Sequence, residues 1–342
     1  MASILILSEK GDGIPLALRL ADENHIVKLW IKNAESKTLL EDYKNPSKVS
    51  NPKAMLDQYD LVVADTFGLG QLCDEFIEKK KSVIGGGSFN DRLTTDLTYQ
   101  TKVVKTLTKM KFELMDGVEV TTEGWFNGKE WVRPFNHSFT MRRLMTGDIG
   151  PLTPCMGNVV WPTNGDKLTN EVIESLQPLL EKVGYLGPIS VSCLVGEQEI
   201  HFIDFTTSFR YDTIQAWCEL LQLPLFDYLY NLVSQKKQEV PFHDETSISV
   251  RLSIPPYPYE GTFGWEAGTL RIPQEAKKHV WPTNANGVVG CITARGATVR
   301  ECQRRVYRTI KNVVTHQEVQ YRTDIGNGVE ELKLKLKGQG WL

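Results

Sequence analysis

Near its start the chain reads Ile4-Leu5-Ile6-Leu7-Ser8-Glu9-Lys10-Gly11-Asp12-Gly13 and then continues into the apolar stretch Ile14 to Ala21. The first four residues predict a short buried strand, and the two glycines predict a tight turn after it. The stretch that follows is typical of a helix packed on that strand. A strand, a glycine turn and a helix in this order indicate the first unit of a parallel sheet.

The same alternation continues through the first hundred residues. Strands are predicted at Ile26 to Ile31, Leu61 to Ala64 and Ser82 to Ile84, with a helix at Leu69 to Lys80. We therefore predict an α/β fold that begins with a doubly wound parallel sheet. Ligands bind such sheets at the carboxyl ends of the strands. Candidate ligand-binding residues there are Gly11, Asp12, Gly13, Asp65 and Gly85.

The turn Gly11-Asp12-Gly13 has two interpretations. Glycines at this place let backbone N–H groups approach a phosphate at a helix N-terminus. The turn can equally serve only to connect a strand to a helix. A full dinucleotide-binding fingerprint is excluded, because no third glycine stands three residues further on.

The composition excludes several classes of protein. The 342 residues are 41% hydrophobic and 24% charged, which is typical of globular domains and not of disordered chains. The net charge of −3 gives no overall attraction to nucleic acid, and no apolar run is long enough to span a membrane. The six cysteines form no C-x-x-C pair, which favours reduced thiols in a cytoplasmic protein, and no histidine cluster predicts a zinc site.

The rest of the chain predicts an α+β arrangement. A hairpin is expected around Asn127-Gly128, with a Gly- and Pro-rich loop at Thr146 to Gly157. Helices are predicted at 92–108, 167–183, 211–233 and 298–312, and strands at 189–195, 199–205, 249–254 and 288–293. The alternating tail Leu332 to Lys337 predicts an edge strand or a contact with another subunit. Trp125, Trp131 and Trp161 are expected in the core rather than in a binding site.

Three segments carry a resemblance to a known family. They are Gly147-Asp148-Ile149-Gly150-Pro151-Leu152-Thr153-Pro154-Cys155-Met156-Gly157, then Phe202-Ile203-Asp204-Phe205-Thr206-Thr207-Ser208-Phe209, and finally Gly290 to Thr298 with Tyr321-Arg322-Thr323-Asp324-Ile325-Gly326. In this order they resemble the phosphoribosylamine–glycine ligase family of ATP-grasp enzymes over roughly the whole chain. Residues 123–128 and 134–137 look most like divergent members carried by bacteriophages.

The resemblance implies a domain order and a chemistry. It implies an N-terminal αβ domain at 1–90, an ATP-grasp core at 91–240, a C-terminal α+β module at 241–330 and a tail at 331–342. In the family, ATP converts a carboxylate into an acyl phosphate and an amine then displaces the phosphate. ATP and Mg²⁺ are therefore the implied cofactors, and Mg²⁺ requires hard oxygen ligands.

The resemblance also implies roles for individual residues. Arg142, Asp148 and Thr153 match positions facing the reacting groups. Glu119, Gly150, Pro151, Met156 and Gly157 match ligand-binding positions, and Asp204 and Thr206 match the metal-binding strand. Each residue has a plainer interpretation: Asp148 as a turn former, Asp204 as a strand-end carboxylate, Glu119 on a solvated face. Arg142 and Arg143 are neighbours on a predicted strand, so only one of them can face the site.

The sequence departs from the family in two places. Family members carry a lid subdomain, with a phosphate-binding lysine, between the helix and strand that match residues 92–108 and 112–120. Here only fourteen residues separate Lys102 from Gly117, which predicts that the lid is missing. In the metal strand the family's Asn is Thr206 and its Arg is Ser208.

Three hypotheses of function follow. The first is a lidless protein that binds a nucleotide or a phosphorylated small molecule in the family's cleft without ligase turnover. The second is an active ATP-dependent carbon–nitrogen ligase that completes its site in another way, for example in a homo-oligomer. The third is a structural or interaction protein that has kept only the fold. Nucleic acid and membrane are not expected partners under any of them.

Overall fold

The fold consists of two sheets, a small parallel one and a large antiparallel one. It is taken from a computed structural model, which describes residues 1–33, 40, 44–54, 56–112, 116–235, 240–259, 269–285 and 287–342. Within these ranges no helix is long and apolar enough to cross a membrane. All six cysteines are free.

The N-terminal sheet confirms the predicted doubly wound arrangement. Its parallel strands are β1 (Ser3–Ser8), β2 (Ile26–Ile31), β3 (Ser47–Lys48), β4 (Leu61–Ala64) and β5 (Val83–Ile84), in the order β3-β2-β1-β4-β5. Helix α1 (Ile14–Asp22) packs on the face of β1 that carries Ile4 and Ile6. Helix α2 (Gly70–Glu78) packs on the opposite face, against Leu5 and Leu7. A strand apolar on both sides is what a sheet covered by helices requires.

Two helices replace the single helix predicted at 92–108. They are α3 (Ser88–Thr95) and α4 (Leu97–Leu107). Asp96 separates them with an extended backbone, and its carboxylate accepts a hydrogen bond from the Tyr99 N–H at 3.0 Å. This side chain caps α4, which explains why a polar stretch without Gly or Pro still breaks.

The second sheet has eight antiparallel strands. They are β6 (Val118–Asn127), β7 (Trp131–Met145), β8 (Ile149–Thr163), β9 (Leu186–Val195), β10 (Ile200–Thr206), β11 (Thr246–Ser253), β12 (Val280–Ala285) and β13 (Val288–Gly296), in the order β10-β9-β6-β7-β8-β11-β13-β12. The hairpin predicted at Asn127-Gly128 joins β6 to β7. Strand β11 pairs with β8, so one sheet joins residues on both sides of position 240. Strand β12 was not predicted.

The loop predicted at Thr146 to Gly157 is wrong, because β8 begins at Ile149 and continues to Thr163. The chain reverses within Gly147 and Asp148, which both have positive φ values, 78° and 58°. Register shifts near Arg143 interrupt the β7–β8 ladder in this region. Such irregular pairing accommodates the prolines and glycines that had indicated a loop.

The remaining helices include shorter pieces of the two long helices predicted at 167–183 and 211–233. The full set is α5 (Lys167–Val172), α6 (Gln177–Val183), α7 (Thr213–Leu220), α8 (Leu225–Val233), α9 (Val299–Val313) and α10 (Val329–Gly338), with a 3-10 turn at Glu174–Leu176. The helix predicted at 211–233 is divided just before Leu225, where Pro224 takes the N-cap position. The segment at 298–312 is confirmed as α9.

The edge strand predicted at Leu332 to Lys337 is wrong, since these residues belong to α10. Val329 and Leu336 are its buried residues, and they lie seven positions apart on one helix face. Leu334 is 67% exposed, so the Leu-Lys alternation does not mark one buried side. Trp125, Trp131 and Trp161 are all buried, as predicted.

A glycine in β8 provides the first testable prediction. A Cβ atom at Gly157 would lie 2.6 Å from the Ser249 carbonyl oxygen and 2.7 Å from Ile325 Cγ1. We expect Gly157→Ala to lower the free energy of unfolding by about 1–3 kcal/mol, as overpacking does in well-packed cores. Urea denaturation measures the change. Gly338→Ala is the control, because Gly338 lies in α10 with nothing within 4 Å of its Cβ position, and it should be neutral or slightly stabilising.

Candidate functional site

The candidate site lies where the two sheets meet. The Gly85 N–H donates to the Leu186 carbonyl oxygen at 3.0 Å, and a Cβ at Gly187 would come within 2.8 Å of the Gly85 nitrogen. The segment between β10 and α7 runs along the same edge, where the Phe209 N–H donates to the Asp65 carbonyl oxygen at 3.3 Å. The carboxyl ends of β4 and β5 therefore face the antiparallel sheet.

One face of the antiparallel sheet is polar. Side chains alternate along each strand, so Glu119, Thr121 and Glu123 share one side of β6. Cross-strand pairing places Ser192, Thr121 and Ser138 beside one another, and Asp204 pairs with Ser192. A continuous row of hydroxyl and carboxylate groups therefore crosses four strands on this face, which we call the polar face.

Arg210 reaches the polar face from the segment before α7. Its Nη1 donates to Ser138 Oγ at 3.2 Å and its Nη2 donates to Thr140 Oγ1 at 3.1 Å. Burial lowers the pKa of this guanidinium, while the carboxylates of Glu123 and Asp204 oppose that effect. Arg210 thus supplies a cation at the centre of the polar face. Sequence reasoning missed Arg210. It stands two positions after Ser208, which is the position where the related family carries an arginine.

Glu123 is buried beside this cation and is only 3% exposed. Burial raises the pKa of its carboxyl group to about 7, although the nearby charge of Arg210 acts in the opposite direction. A carboxyl group with such a pKa holds or releases a proton near neutral pH. Nothing in the local sequence pattern marks Glu123 as a site residue.

Arg142 and Glu119 lie on neighbouring parts of the polar face. Arg142 Nη2 is 3.4 Å from Glu119 Oε1, and both side chains are partly exposed. Arg143 instead donates to the Gly150 carbonyl oxygen at 2.8 Å. The two neighbouring arginines therefore point to opposite sides of β7, and Arg142 is the one that faces the site.

Asp204 and Thr206 lie two residues apart on β10 and therefore share a side of the strand. Asp204 Oδ1 is buried and has no hydrogen-bond partner in the part of the chain that the structure describes. No group of three His, Cys, Asp or Glu side chains that could hold a metal occurs among the described residues. One carboxylate and one hydroxyl fit a Mg²⁺ ion that takes its other ligands from phosphate oxygens and water.

The end of the parallel sheet contributes a buried acid, Asp65, and a partly buried one, Asp12. Asp65 is fully buried, and its Oδ2 accepts a hydrogen bond from Ser8 Oγ at 2.6 Å. A Cβ at Gly13 would lie 2.7 Å from the same oxygen, so only glycine fits there. Burial raises the pKa values of Asp65 and Asp12, and the nearby charge of Asp12 raises the pKa of Asp65 further. The Gly11 N–H donates to Ser8 Oγ at 2.9 Å, so it is not free for a phosphate.

A buried ion pair faces these acids from the antiparallel sheet. Arg251 Nε donates to Asp212 Oδ2 at 2.8 Å and its Nη2 donates to Asp212 Oδ1 at 3.1 Å. The positive charge of Arg251 also lowers the pKa of Asp12 against the effect of burial. The hydroxyl of Tyr211 is buried without a hydrogen-bond partner within the described ranges. The part of the candidate site next to the parallel sheet therefore carries more carboxyl groups than cations.

The other predicted residues make contacts inside the protein. Asp148, in the turn between β7 and β8, accepts a hydrogen bond from Arg322 Nη1 at 3.0 Å. Thr153 Oγ1 donates to the Arg142 carbonyl oxygen at 2.8 Å. Met156 is buried, Gly157 packs against Ser249, and the Gly150 carbonyl accepts from Arg143, with Pro151 next to it in β8. The ligand-binding and catalytic roles predicted for these residues stay predictions. The structure does bring Arg142, Glu119 and Asp204 together on the polar face.

Known proteins resemble this chain in sequence and in fold. No family model matches the sequence. The chain is 25% identical over 236 residues to the phosphoribosylamine–glycine ligase of Streptomyces coelicolor, with 62% of this chain and 56% of the relative covered. The enzyme of the same name from Xanthomonas axonopodis pv. citri is 27% identical over 236 residues, with 63% and 54% covered. The chain thus spans about half the length of the curated relatives it matches.

The solved structure of phosphoribosylamine–glycine ligase from Thermotoga maritima superposes with a TM-score of 0.70 at 16% identity, covering 94% of this chain and 99% of that one. The chain is similar in sequence to phosphoribosylamine–glycine ligases, and it shares the fold of the Thermotoga maritima enzyme. The chain also resembles a biotin carboxylase from Campylobacter jejuni, solved as a β-γ-ATP complex, with a TM-score of 0.68 and 8% identity. The match covers 99% of this chain and 97% of that one. At such identities the structural likeness extends to the fold alone.

Proposed function

We propose that this ATP-grasp protein binds a nucleotide or a phosphorylated small molecule on its polar face, without ligase turnover. The cations Arg142 and Arg210 lie on that face with hydroxyl groups beside them. Arginine forks and hydroxyl donors are suited to phosphate oxygens. The Campylobacter jejuni neighbour, which shares the fold, was solved as a β-γ-ATP complex, and this supports a nucleotide as the class of ligand.

The observation that carries the proposal is a pair of buried polar atoms without partners. Arg142 Nε and Asp204 Oδ1 have no hydrogen-bond partner in the described part of the chain. Native proteins leave few buried polar atoms unsatisfied, and those that remain often face a missing ligand or ion. One of these atoms is a donor and the other an acceptor. A phosphate oxygen suits the first, and a Mg²⁺ ion on the phosphate suits the second.

The short link after α4 supports binding without turnover. Helix α4 ends at Leu107 and β6 begins at Val118, which leaves ten residues between them. A subdomain with several strands and helices needs far more chain than this. Without a lid, a phosphoryl group in transfer lacks cations from one side, and removing a single such donor slows enzymes by about 10²–10³.

An active carbon–nitrogen ligase is the second candidate. Glu123, with a pKa of about 7, is placed to accept a proton from an attacking amine near neutral pH. Asp204 and Thr206 would hold a Mg²⁺ ion, which supplies charge neutralisation to the phosphates when bound. The likeness to ligases named for phosphoribosylamine and glycine favours this chemistry over other ATP reactions.

One set of measurements distinguishes the binding protein from the active ligase. Thermal unfolding is followed with ATP, ADP, AMP, a phosphoribosyl compound and glycine, each with and without Mg²⁺, and phosphate release is assayed on the same samples. We expect nucleotides to raise the unfolding temperature, since a ligand at a hundred times its Kd adds about 2.7 kcal/mol. Phosphate release that depends on an amine and a carboxylate would establish the ligase. The absence of any shift would contradict both candidates.

Arg142 allows a matched test of the polar face. We expect Arg142→Gln to weaken binding of the nucleotide that gives the largest shift by about tenfold, because a charged hydrogen bond to phosphate is lost. Isothermal titration calorimetry measures the change. Arg143→Gln is the control, since Arg143 lies on the opposite side of β7 and contacts Gly150. Equal losses in the two variants would show that the effect is not local to the polar face.

A further inference from the structure

A second cavity lies on the C-terminal part of the protein, away from the residues of the polar face. Its volume is about 430 Å³. It is bounded by the 3-10 helix Gln274–His279, by the end of β13 and by α9. Its charged and titratable lining residues are Glu275, Lys278, His279, Arg295, Arg305 and Arg308. We call it the basic cavity.

The basic cavity has more positive charge than its own carboxylates neutralise. Arg295 pairs with Glu245, and Arg305 pairs with Glu301 at 2.5 Å. Lys278 and Arg308 have no ion pair with any described residue. Glu275 is the one carboxylate among the lining residues. Lys278 and Arg308 are exposed side chains, and the cavity keeps a local excess of positive charge in a protein whose net charge is −3.

The walls also offer neutral groups for hydrogen bonds. Asn312 and Thr309 line the cavity from α9, and His279 lines it from the opposite wall. His279 Nδ1 is 2.8 Å from Glu219 Oε1, so its ring is held in one orientation and its Nε2 is left for another partner. Converging cations with a few neutral polar groups are typical of sites for small anions.

The segment that carries Lys278 is held in place from the N-terminal sheet. Arg19 Nη2 donates to the Lys278 carbonyl oxygen at 2.6 Å, and Lys277 Nζ is 2.5 Å from Asp22 Oδ1. Both Arg19 and Asp22 belong to α1. A ligand in the basic cavity would therefore bind to a segment that is already ordered, which reduces the entropy lost on binding.

We propose that the basic cavity binds a small, multiply charged phosphate compound, separate from the ligand of the polar face. Lys278 and Arg308 would contact the phosphate groups directly, because they are the two lining cations without a carboxylate among the described residues. Two phosphate groups match two such cations, so a pyrophosphate or a diphosphate ester fits better than a single carboxylate. The volume is enough for such a compound but not for a folded partner.

The test uses pyrophosphate as the probe and calorimetry as the measurement. The double variant Lys278→Gln/Arg308→Gln is expected to weaken pyrophosphate binding about tenfold or more. The control is Arg304→Gln/Lys311→Gln, which removes the same charge from exposed positions of α9 that do not line the cavity. The control should change the affinity less than about twofold at 0.15 M salt, where distant surface charges are screened.

Three outcomes would overturn the proposal. The two double variants could lose pyrophosphate affinity equally and lose affinity for a single-stranded oligonucleotide to a similar extent. That result would mean that the positive charge of α9 attracts polyanions in general and does not form a defined site. A loss confined to Arg142→Gln would mean that pyrophosphate binds on the polar face. No binding at millimolar pyrophosphate would exclude the site. The ATP-induced thermal shift should be unchanged in Lys278→Gln/Arg308→Gln, so failure here is distinguishable from failure of the proposed nucleotide site.

Discussion

Replacing Arg251 with methionine is expected to lower the free energy of unfolding by about 3–5 kcal/mol. Arg251 and Asp212 form a two-pronged ion pair and are 7% and 4% exposed. The variant keeps Asp212 buried but removes its partner, which leaves an uncompensated charge in the interior. It also removes the positive charge that opposes the effect of burial on Asp12. Urea denaturation at constant pH measures the change.

Two further variants make this prediction specific. Arg295→Met breaks the Arg295–Glu245 pair, whose side chains are 32% and 28% exposed, and should cost about 1 kcal/mol or less. The double variant Arg251→Met/Asp212→Asn removes both buried charges, and it should recover much of the stability lost by Arg251→Met alone. A loss below about 1 kcal/mol for Arg251→Met would contradict the buried pair.

The second large effect is a dependence of stability on pH that comes from Glu123. Its pKa is about 7 in the folded protein and 4.5 as the ordinary value, so the folded state binds the proton more tightly. The resulting stabilisation is complete below pH 4.5 and is lost as the pH rises through 7. The difference between these pKa values corresponds to about 3 kcal/mol.

Glu123→Gln isolates this contribution. The variant cannot titrate, so the unfolding free energy of the wild type minus that of Glu123→Gln should fall by about 3 kcal/mol between pH 4.5 and pH 8. Asp12 and Asp65 also have raised pKa values, but they are present in both proteins and cancel in the difference. Glu119→Gln, on the same strand and 47% exposed, removes a carboxylate from a partly exposed ion pair and should change the unfolding free energy by about 1 kcal/mol or less. A constant difference for Glu123→Gln would show that Glu123 does not hold its proton near neutrality.

The parallel sheet could be predicted from the sequence because its strands are apolar on both sides and are separated by glycine turns. Strand β8 could not, since Pro151, Pro154 and Gly157 favour a loop locally and only pairing with β7 and β11 makes the segment extended. The helix α10 was missed for a related reason: burial of Val329 and Leu336 against the sheet decides its form, not the Leu-Lys alternation.

The candidate site was predictable to a smaller extent. Glu119, Arg142 and Asp204 were singled out because they match positions of the family's motifs, and alternation along their strands agrees with a shared face. Arg210 lies in an irregular segment, where no periodicity tells which way a side chain points. Glu123 looked like an ordinary surface carboxylate, and its unusual proton affinity comes from burial by neighbouring elements that are distant in sequence.

The contact between Gly85 and Gly187 bears on how a ligand enters the cleft. The two sheets touch there backbone to backbone, and a hydrogen bond from Gly85 to Leu186 fixes their spacing. A rigid-body movement of one sheet relative to the other must pivot at this point, since translation would break the hydrogen bond or bring the two main chains into collision. Closure of the two sheets on a ligand would therefore be a hinge rotation about Gly85 and Gly187 and not a sliding movement.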